Sequence, residues 1–366
     1  RHSSGEYFTP DWLAELMIKS LVNDDELMRK KFLDPTCGSG TFLRSMIKLY
    51  KTESKGNIFF NVFGIDINPV SVIAAKTNYF IQYFEYFNKS PKVIPIYEAD
   101  IIREVNYNTE LFDIETIKIT DNIGEVDYII GNPPWVNWEY LPKNYKLNTV
   151  NAWKFFNLYD GNGLNSQFLK EDVSVLITYC VMHKYLKNNG KLGFLLKESL
   201  IKSVKQAKSF RKFNIKPSNT PLKVEYILDL TNLSPFEGIN PRTIGLFLTK
   251  NKKNSFPFTY KVLKTKSGKK RFDIDLGIDI ISDDFYYEYL LATPSDLEDE
   301  TSAFKTLDEE LYESSKKIYG KSFYRARTGI FTGGANAIFW INILDSNGNT
   351  SKVENIIERA KNKVEK

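Results

Sequence analysis

The sequence predicts an α/β protein built on a doubly wound, mostly parallel sheet with a small C-terminal extension. Three observations carry that prediction. Short apolar runs at residues 32–33, 62–65, 94–97 and 126–130 read as buried strands, and helical patterns at about 41–50 and 71–84 lie between them. Such alternation argues for parallel strands joined by helical crossovers. The residues with chemical character all fall where those strands end. Ligands of open α/β sheets sit outside the carboxyl ends of the strands.

Composition narrows the class. The chain has 366 residues, 42% hydrophobic and 26% charged, enough for one large or two ordinary globular domains. No apolar stretch of about 18 residues occurs, so no membrane partner is expected. No secretory signal opens the sequence, and Cys37 and Cys180 are its only cysteines, so a reducing cytoplasm is expected. His2 and His183 are the only histidines, which leaves little for a histidine triad or a metal site, and no metal is expected. The net charge of +5 is unevenly placed. Residues 184–216 hold ten Lys or Arg against one acid, and residues 250–271 hold nine and no acid. Each run reads either as a solvated face or as part of a nucleic-acid channel.

Each element follows in order. Gly5-Glu6-Tyr7-Phe8-Thr9-Pro10 is a turn before a helix whose apolar residues recur at Trp12, Leu13, Leu16 and Met17. The strand at 32–33 runs into Asp34-Pro35-Thr36-Cys37-Gly38-Ser39-Gly40, where glycines allow close backbone approach to a ligand. The dinucleotide fingerprint is broken at Leu43, and the lysine of a phosphate-binding loop is absent. The next strand ends in Asp66-Ile67, placed to accept ribose hydroxyls. The third ends at Asp100-Ile101, and residues 103–125 read as a loop or small insertion. The fourth leads into Gly131-Asn132-Pro133-Pro134-Trp135. Two prolines fix φ and remove two donors, leaving a stiff loop that displays carbonyls. Asn132 adds a side-chain carbonyl and amide, and Trp135 a flat apolar face. Such a loop suits an exocyclic amine on a flat ring.

Residues 136–170 are dense in aromatics and read as a cover over that loop or a packed insertion. A helix at 172–187, a strand at 190–196, a basic helix at 198–213 and strands at 224–230 and 243–248 follow.

Asn-Pro-Pro-Trp after an apolar strand resembles the catalytic motif of the amino-group DNA methyltransferases that act on adenine N6. The segment 5–10, preceding the other motifs, is similar to the cofactor motif of their gamma class, and Asp34-Pro35-x-x-Gly38-x-Gly40 resembles the S-adenosylmethionine loop. The resemblance covers roughly residues 5–250 and implies a methyltransferase-type sheet with S-adenosyl-L-methionine as cofactor. It implies cofactor contacts from Tyr7, Phe8, Thr9, Pro10, Asp34, Thr36, Gly38, Gly40, Asp66, Ile67, Asp100, Ile101 and Asn132. It gives catalytic roles to Asn132, Pro133, Pro134 and Trp135, with Trp135 and Phe236 as walls for an adenine flipped out of double-stranded DNA. Phe236 enters through Pro235-Phe236-Glu237-Gly238, a looser likeness to a late family motif.

Residues 324–336 look like the junction at which type IIG restriction-modification enzymes pass into target recognition. The expected division is a catalytic domain at 1–254, a connector at 255–322 and the start of a truncated target-recognition region at 323–366. Nuclease and recognition domains of the same longer chain are the implied partners, and phage defence by restriction-modification the implied setting. Rival readings are an RNA adenine methyltransferase, a glutamine methyltransferase of release factors, which shares Asn-Pro-Pro, and an inactive recognition subunit.

Overall fold

A computed structural model describes residues 8–22, 30–53, 61–105, 107, 120–158, 171–204, 206–233, 235–236, 242–266, 285–317, 341–343 and 353–355. In chain order the first unit contains α1 (Asp11–Leu21), β1 (Phe32–Asp34), α2 (Thr41–Glu53), β2 (Val62–Asp66), α3 (Pro69–Phe87), β3 (Ile96–Glu98) and β4 (Val126–Gly131). Then come α4 (Lys143–Phe155), α5 (Val173–Lys184), β5 (Leu186–Lys197), α6 (Ser199–Lys202), β6 (Asn214–Ile215), β7 (Thr220–Asp229) and β8 (Thr243–Lys250). The strands β9 (Phe258–Thr265), β10 (Phe285–Pro294) and β11 (Phe304–Leu307) precede α7 (Glu309–Lys317). A second unit, residues 314–366, holds a short antiparallel pair, β12 (Ile341–Ile343) and β13 (Val353–Asn355).

The sheet of the first unit runs β11-β10-β9-β7-β8-β5-β4-β1-β2-β3, with β6 pairing β7 off that path. Strands β1 to β5 are mutually parallel. β8 is reversed between β5 and β7, and β9 returns parallel to β7. The chain leaves β1 toward β2 and β3, then comes back to lay β4 on β1's other side. Crossovers thus diverge between β1 and β4, and a crevice opens at the carboxyl ends there.

Alternation along the strands feeds two cores. Phe32, Val62, Tyr128 and Ile130 pack with α1, α2 and α3, while Leu33, Phe63, Ile65 and Ile129 pack with α5 and the end of α4. Both faces are covered, so the strands are apolar on both sides, as parallel sheets require.

Two expectations change. The segment expected as a connector supplies β9, β10 and β11 to the same sheet. The basic stretch at 198–213 is not one helix: α6 stops at Lys202, and the chain turns through Ala207, with φ +55°, to a 3-10 turn at Phe210–Lys212. Burial of Arg211 explains the break. It is 2% exposed, and its guanidinium donates to the carbonyls of Leu200 (2.8 Å), Gln206 (2.9 Å) and Thr301 (2.8 Å). Those bonds require the chain to wrap around the side chain, overriding local helix propensity.

Candidate active site

The site is assembled from strand ends. β1 ends at Asp34, and the following loop turns into α2 through Gly38 (φ +52°) and Gly40 (φ +88°). A side chain at Gly40 would also stand 3.3 Å from the backbone of Ala75 on α3. Asp34 is 2% exposed, and its Oδ1 accepts the Thr36 N–H at 3.2 Å. That oxygen would lie 2.6 Å from a Cβ at Gly131, so the end of β4 is glycine because a carboxylate sits against it.

Burial pushes the Asp34 carboxyl well above the usual range, the Thr36 N–H opposes this, and the charge of Asp66 adds to it. An acid with a raised folded pKa costs the fold nothing at low pH and destabilises it as pH rises through that pKa. Asp34→Asn keeps an acceptor for Thr36 and removes the charge. Its thermal midpoint is expected to match the parent near pH 4 and to exceed it increasingly as pH rises. A constant difference across pH would contradict the assignment.

At the end of β2, Asp66 Oδ2 accepts the Gly38 N–H and Oδ1 accepts the Asn68 N–H, both at 2.8 Å. Burial raises its pKa against those two bonds. Asn68 in turn caps α3 by accepting from Val70 N–H. Beyond β3, Asp100 Oδ1 accepts from the Ile102 N–H (3.0 Å) and the Tyr145 hydroxyl (3.1 Å). Burial raises its pKa too, opposed by Tyr145, Ile102 and Arg103. Beyond β4, the Asn132 amide nitrogen donates to Thr9 Oγ1 at 3.3 Å, which ties the loop to the segment before α1. Pro10 caps that helix, its carbonyl accepting from Leu13 and Ala14 N–H.

These ends surround a cleft of about 360 Å³. Of the expected residues, Phe8, Thr36, Gly38, Asp66, Ile67, Asp100, Ile101, Asn132 and Pro134 line it. Phe8 and Ile67 are exposed on the cleft, whereas Ile101 is buried. Thr9 and Pro10 sit behind Asn132 rather than on the wall, Asp34 lies beneath the loop, and Pro133 is buried. Tyr7 lies outside the described residues, as do most of 103–125, residues 159–170, residues 237–241 and residues 324–336.

Trp135 differs from expectation. It is 4% exposed, its Nε1 donates to the Leu195 carbonyl at 3.2 Å, and Phe236 packs edge-on to it with centroids 5.2 Å apart. Phe236 is itself buried. Neither ring offers an open face to a base here. Indole area and an N–H both find partners inside the protein, so Trp135 anchors its loop to β5.

The basic runs also serve the fold. Lys187, Lys197, Lys202 and Lys208 pair with Asp127, Asp172, Glu198 and Asp299. Lys250 donates to the Leu186 carbonyl, and Lys264 pairs with Glu288. Asp127, Asp172, Asp299 and Glu288 come from outside the runs, whereas Glu198 lies within one.

Sequence reasoning missed Tyr145, Ile102, Val136 and Ile177, which also line the cleft. The aromatic density at 136–170 marked the region of Tyr145. Its described part divides: Ala152, Trp153 and Phe156 enter the core, while Leu141, Pro142 and Tyr145 wall the cleft.

The parallel part of the sheet, β3-β2-β1-β4-β5, with acids and a glycine turn at its switch point, has the fold of the S-adenosylmethionine-dependent methyltransferases. The chain belongs to the N-6 DNA Methylase family, whose model matches residues 1–272. It is 24% identical over 250 residues to the Type II methyltransferase M.VspI of Vibrio sp. (strain 343), covering 68% of this chain and 49% of that one. It is 23% identical over 368 residues to the Type II restriction enzyme and methyltransferase RM.Eco57I of Escherichia coli, covering 86% of this chain and 33% of that one. It thus spans less than half the length of either relative. In fold it is similar to the ATP-dependent Type ISP restriction-modification enzyme LlaBIII bound to DNA. The TM-score is 0.52 at 16% identity, over 81% of this chain and 22% of that one.

Proposed function

We propose that this chain is the catalytic part of an enzyme that moves a methyl group from S-adenosylmethionine to N6 of an adenine flipped out of double-stranded DNA. The supporting observation is that Asn132 opens on the same cleft as Asp66 and Asp100, its amide held by Thr9. A restriction-modification setting, with recognition and nuclease parts on the same longer chain, accords with the family. On this reading 1–254 remains the catalytic part, 255–322 a connector built onto its sheet, and 323–366 the start of target recognition.

The residues fit the cofactor. Thr36 Oγ1 is buried beside the cleft and makes no hydrogen bond among the described residues, as suits a group awaiting a polar ligand, and Asp100 Oδ2, 3.3 Å from Arg103 Nε, keeps a lone pair for one. Ile67 and Ile101 offer apolar surface for a ring. Each Asp66 oxygen holds one N–H and keeps a lone pair for a ribose hydroxyl. When bound, S-adenosylmethionine supplies a methyl group already activated on a sulfonium. The protein then has to hold the amine. Adenine N6 is a weak nucleophile because its lone pair is delocalised into the ring. Acceptance of its two hydrogens by Asn132 Oδ1 and the Pro133 carbonyl favours a more pyramidal, more nucleophilic nitrogen. Positioning of this kind supplies roughly 7–11 kcal/mol.

Asp66→Ala removes acceptors for two hydroxyls and releases Gly38. Cofactor affinity is expected to fall by about 1–3 kcal/mol, roughly ten- to hundredfold. Unchanged affinity by calorimetry would show that the ribose lies elsewhere. The activity itself is tested with methyl-labelled cofactor and three acceptors: DNA, RNA and a release factor. N6-methyladenine in the DNA digest supports the reading, and labelling confined to RNA or protein overturns it.

A further inference from the structure

Asp100 carries an asymmetry. Its Oδ1 is occupied twice, by the Ile102 N–H at 3.0 Å and by the Tyr145 hydroxyl at 3.1 Å. Its Oδ2 is buried, lies 3.3 Å from Arg103 Nε, and makes no hydrogen bond among the described residues. Arg103 also stands over the Tyr145 ring, 5.6 Å from its centroid. One oxygen is thus saturated from the protein side and the other keeps acceptor capacity at the cleft wall.

Tyr145 reaches Asp100 from a different element of the cleft wall. It lies on α4, whose far end is sunk in the core through Ala152, Trp153 and Phe156. Near its start, Lys146 donates to the Glu139 carbonyl, and Trp138 Nε1 donates to Thr149 Oγ1 at 3.1 Å. The helix is therefore held independently of the cleft, and the tyrosine is presented to Asp100 from a fixed base.

We propose that Tyr145 is a positioning residue that fixes the Asp100 carboxylate so that Oδ2 alone receives the exocyclic amine of the cofactor's adenine, making Tyr145 a determinant of purine selectivity. This rests on the cofactor site proposed above, with the adenine ring laid on Ile101 and its amine set at the neighbouring Asp100. A carboxylate held at Oδ1 cannot readily turn to suit a ring that lacks the amine, and such a ring leaves the buried Oδ2 with only the Arg103 contact where an amine hydrogen would add a second. Discrimination then arises from the penalty on the wrong ring as well as the bond to the right one. Without the hydroxyl, Oδ1 keeps the Ile102 N–H but loses its second anchor, so the carboxylate is held less firmly and the two rings meet more similar sites.

The test compares S-adenosylhomocysteine with its counterpart carrying hydrogen in place of the 6-amino group, by calorimetry, on the parent, Tyr145→Phe and Asp100→Asn. The parent is expected to prefer the amino ring by roughly ten- to hundredfold. Tyr145→Phe is expected to lose most of that preference, chiefly by weaker binding of the amino ring, while its thermal midpoint stays close to the parent's. A merely structural role would weaken both ligands equally and leave the ratio intact, and that result overturns the proposal. A parent that binds S-adenosylhomocysteine without preferring the amine removes Asp100 from the adenine and takes the Tyr145 role with it. Asp100→Asn separates the cases: loss of preference there with retention in Tyr145→Phe leaves the cofactor reading standing and refutes Tyr145 alone.

Discussion

Asn132→Ala is expected to slow single-turnover methyl transfer by roughly a hundred- to a thousandfold, the scale seen when one preorganised polar group at a reacting centre is lost. In the proposed mechanism the bond from Asn132 to N6 strengthens as that nitrogen gains positive charge, so the loss is expected on the rate and not on ground-state binding. Cofactor affinity is expected to stay near the parent's, since Asp66 and Asp100 are untouched. Rapid-quench measurement in a recognition-competent protein provides the check. A near-parental rate would reduce the loop to a turn. Thr9→Val gives a graded companion result: it keeps Asn132 and removes the bond that orients its amide.

Trp135→Ala is expected to act on stability. The side chain is buried, hydrogen-bonded through Nε1 to the Leu195 carbonyl and packed edge-on against Phe236. Truncating a buried tryptophan costs about 3–5 kcal/mol. Trp135→Phe keeps most of the packing but abandons the Leu195 carbonyl, for about 1–3 kcal/mol. Urea midpoints read both. A stability change under 1 kcal/mol for the alanine variant would instead mean that the indole spends its time facing the cleft, as a wall for a base.

The contrast between these residues shows how far sequence carries. Asn132 was legible because a strand fixes where its end lies, and the prolines after it fix the backbone. The same prolines erase the strand's alternation, so nothing local says which way Trp135 points. Its position depends on Leu195 and Phe236, far along the chain. Asp66 and Asp100 were legible for the reason Asn132 was. Tyr145 was not, because its value lies in reaching Asp100, 45 residues earlier, from a helix with little apolar periodicity. The basic helix expected at 198–213 failed on a single residue, Arg211, whose buried guanidinium draws three carbonyls around it. Lysine runs were equally opaque, since Asp127, Asp172, Asp299 and Glu288 are brought to them by the fold.

The hydrogen bond between Thr9 and Asn132 spans 123 residues of sequence, yet only Pro10 separates Thr9 from the first residue of α1. The Asn132 amide is thus tied to the entry of α1 by one short stiff link. Since α1 also packs against residues of β4 and β5, a bulky fusion placed just ahead of Thr9 is expected to disturb Asn132 and the sheet together. On the proposed function the segment before α1 is a lever on the chemistry, and labels meant to be silent belong at the other end of the strands.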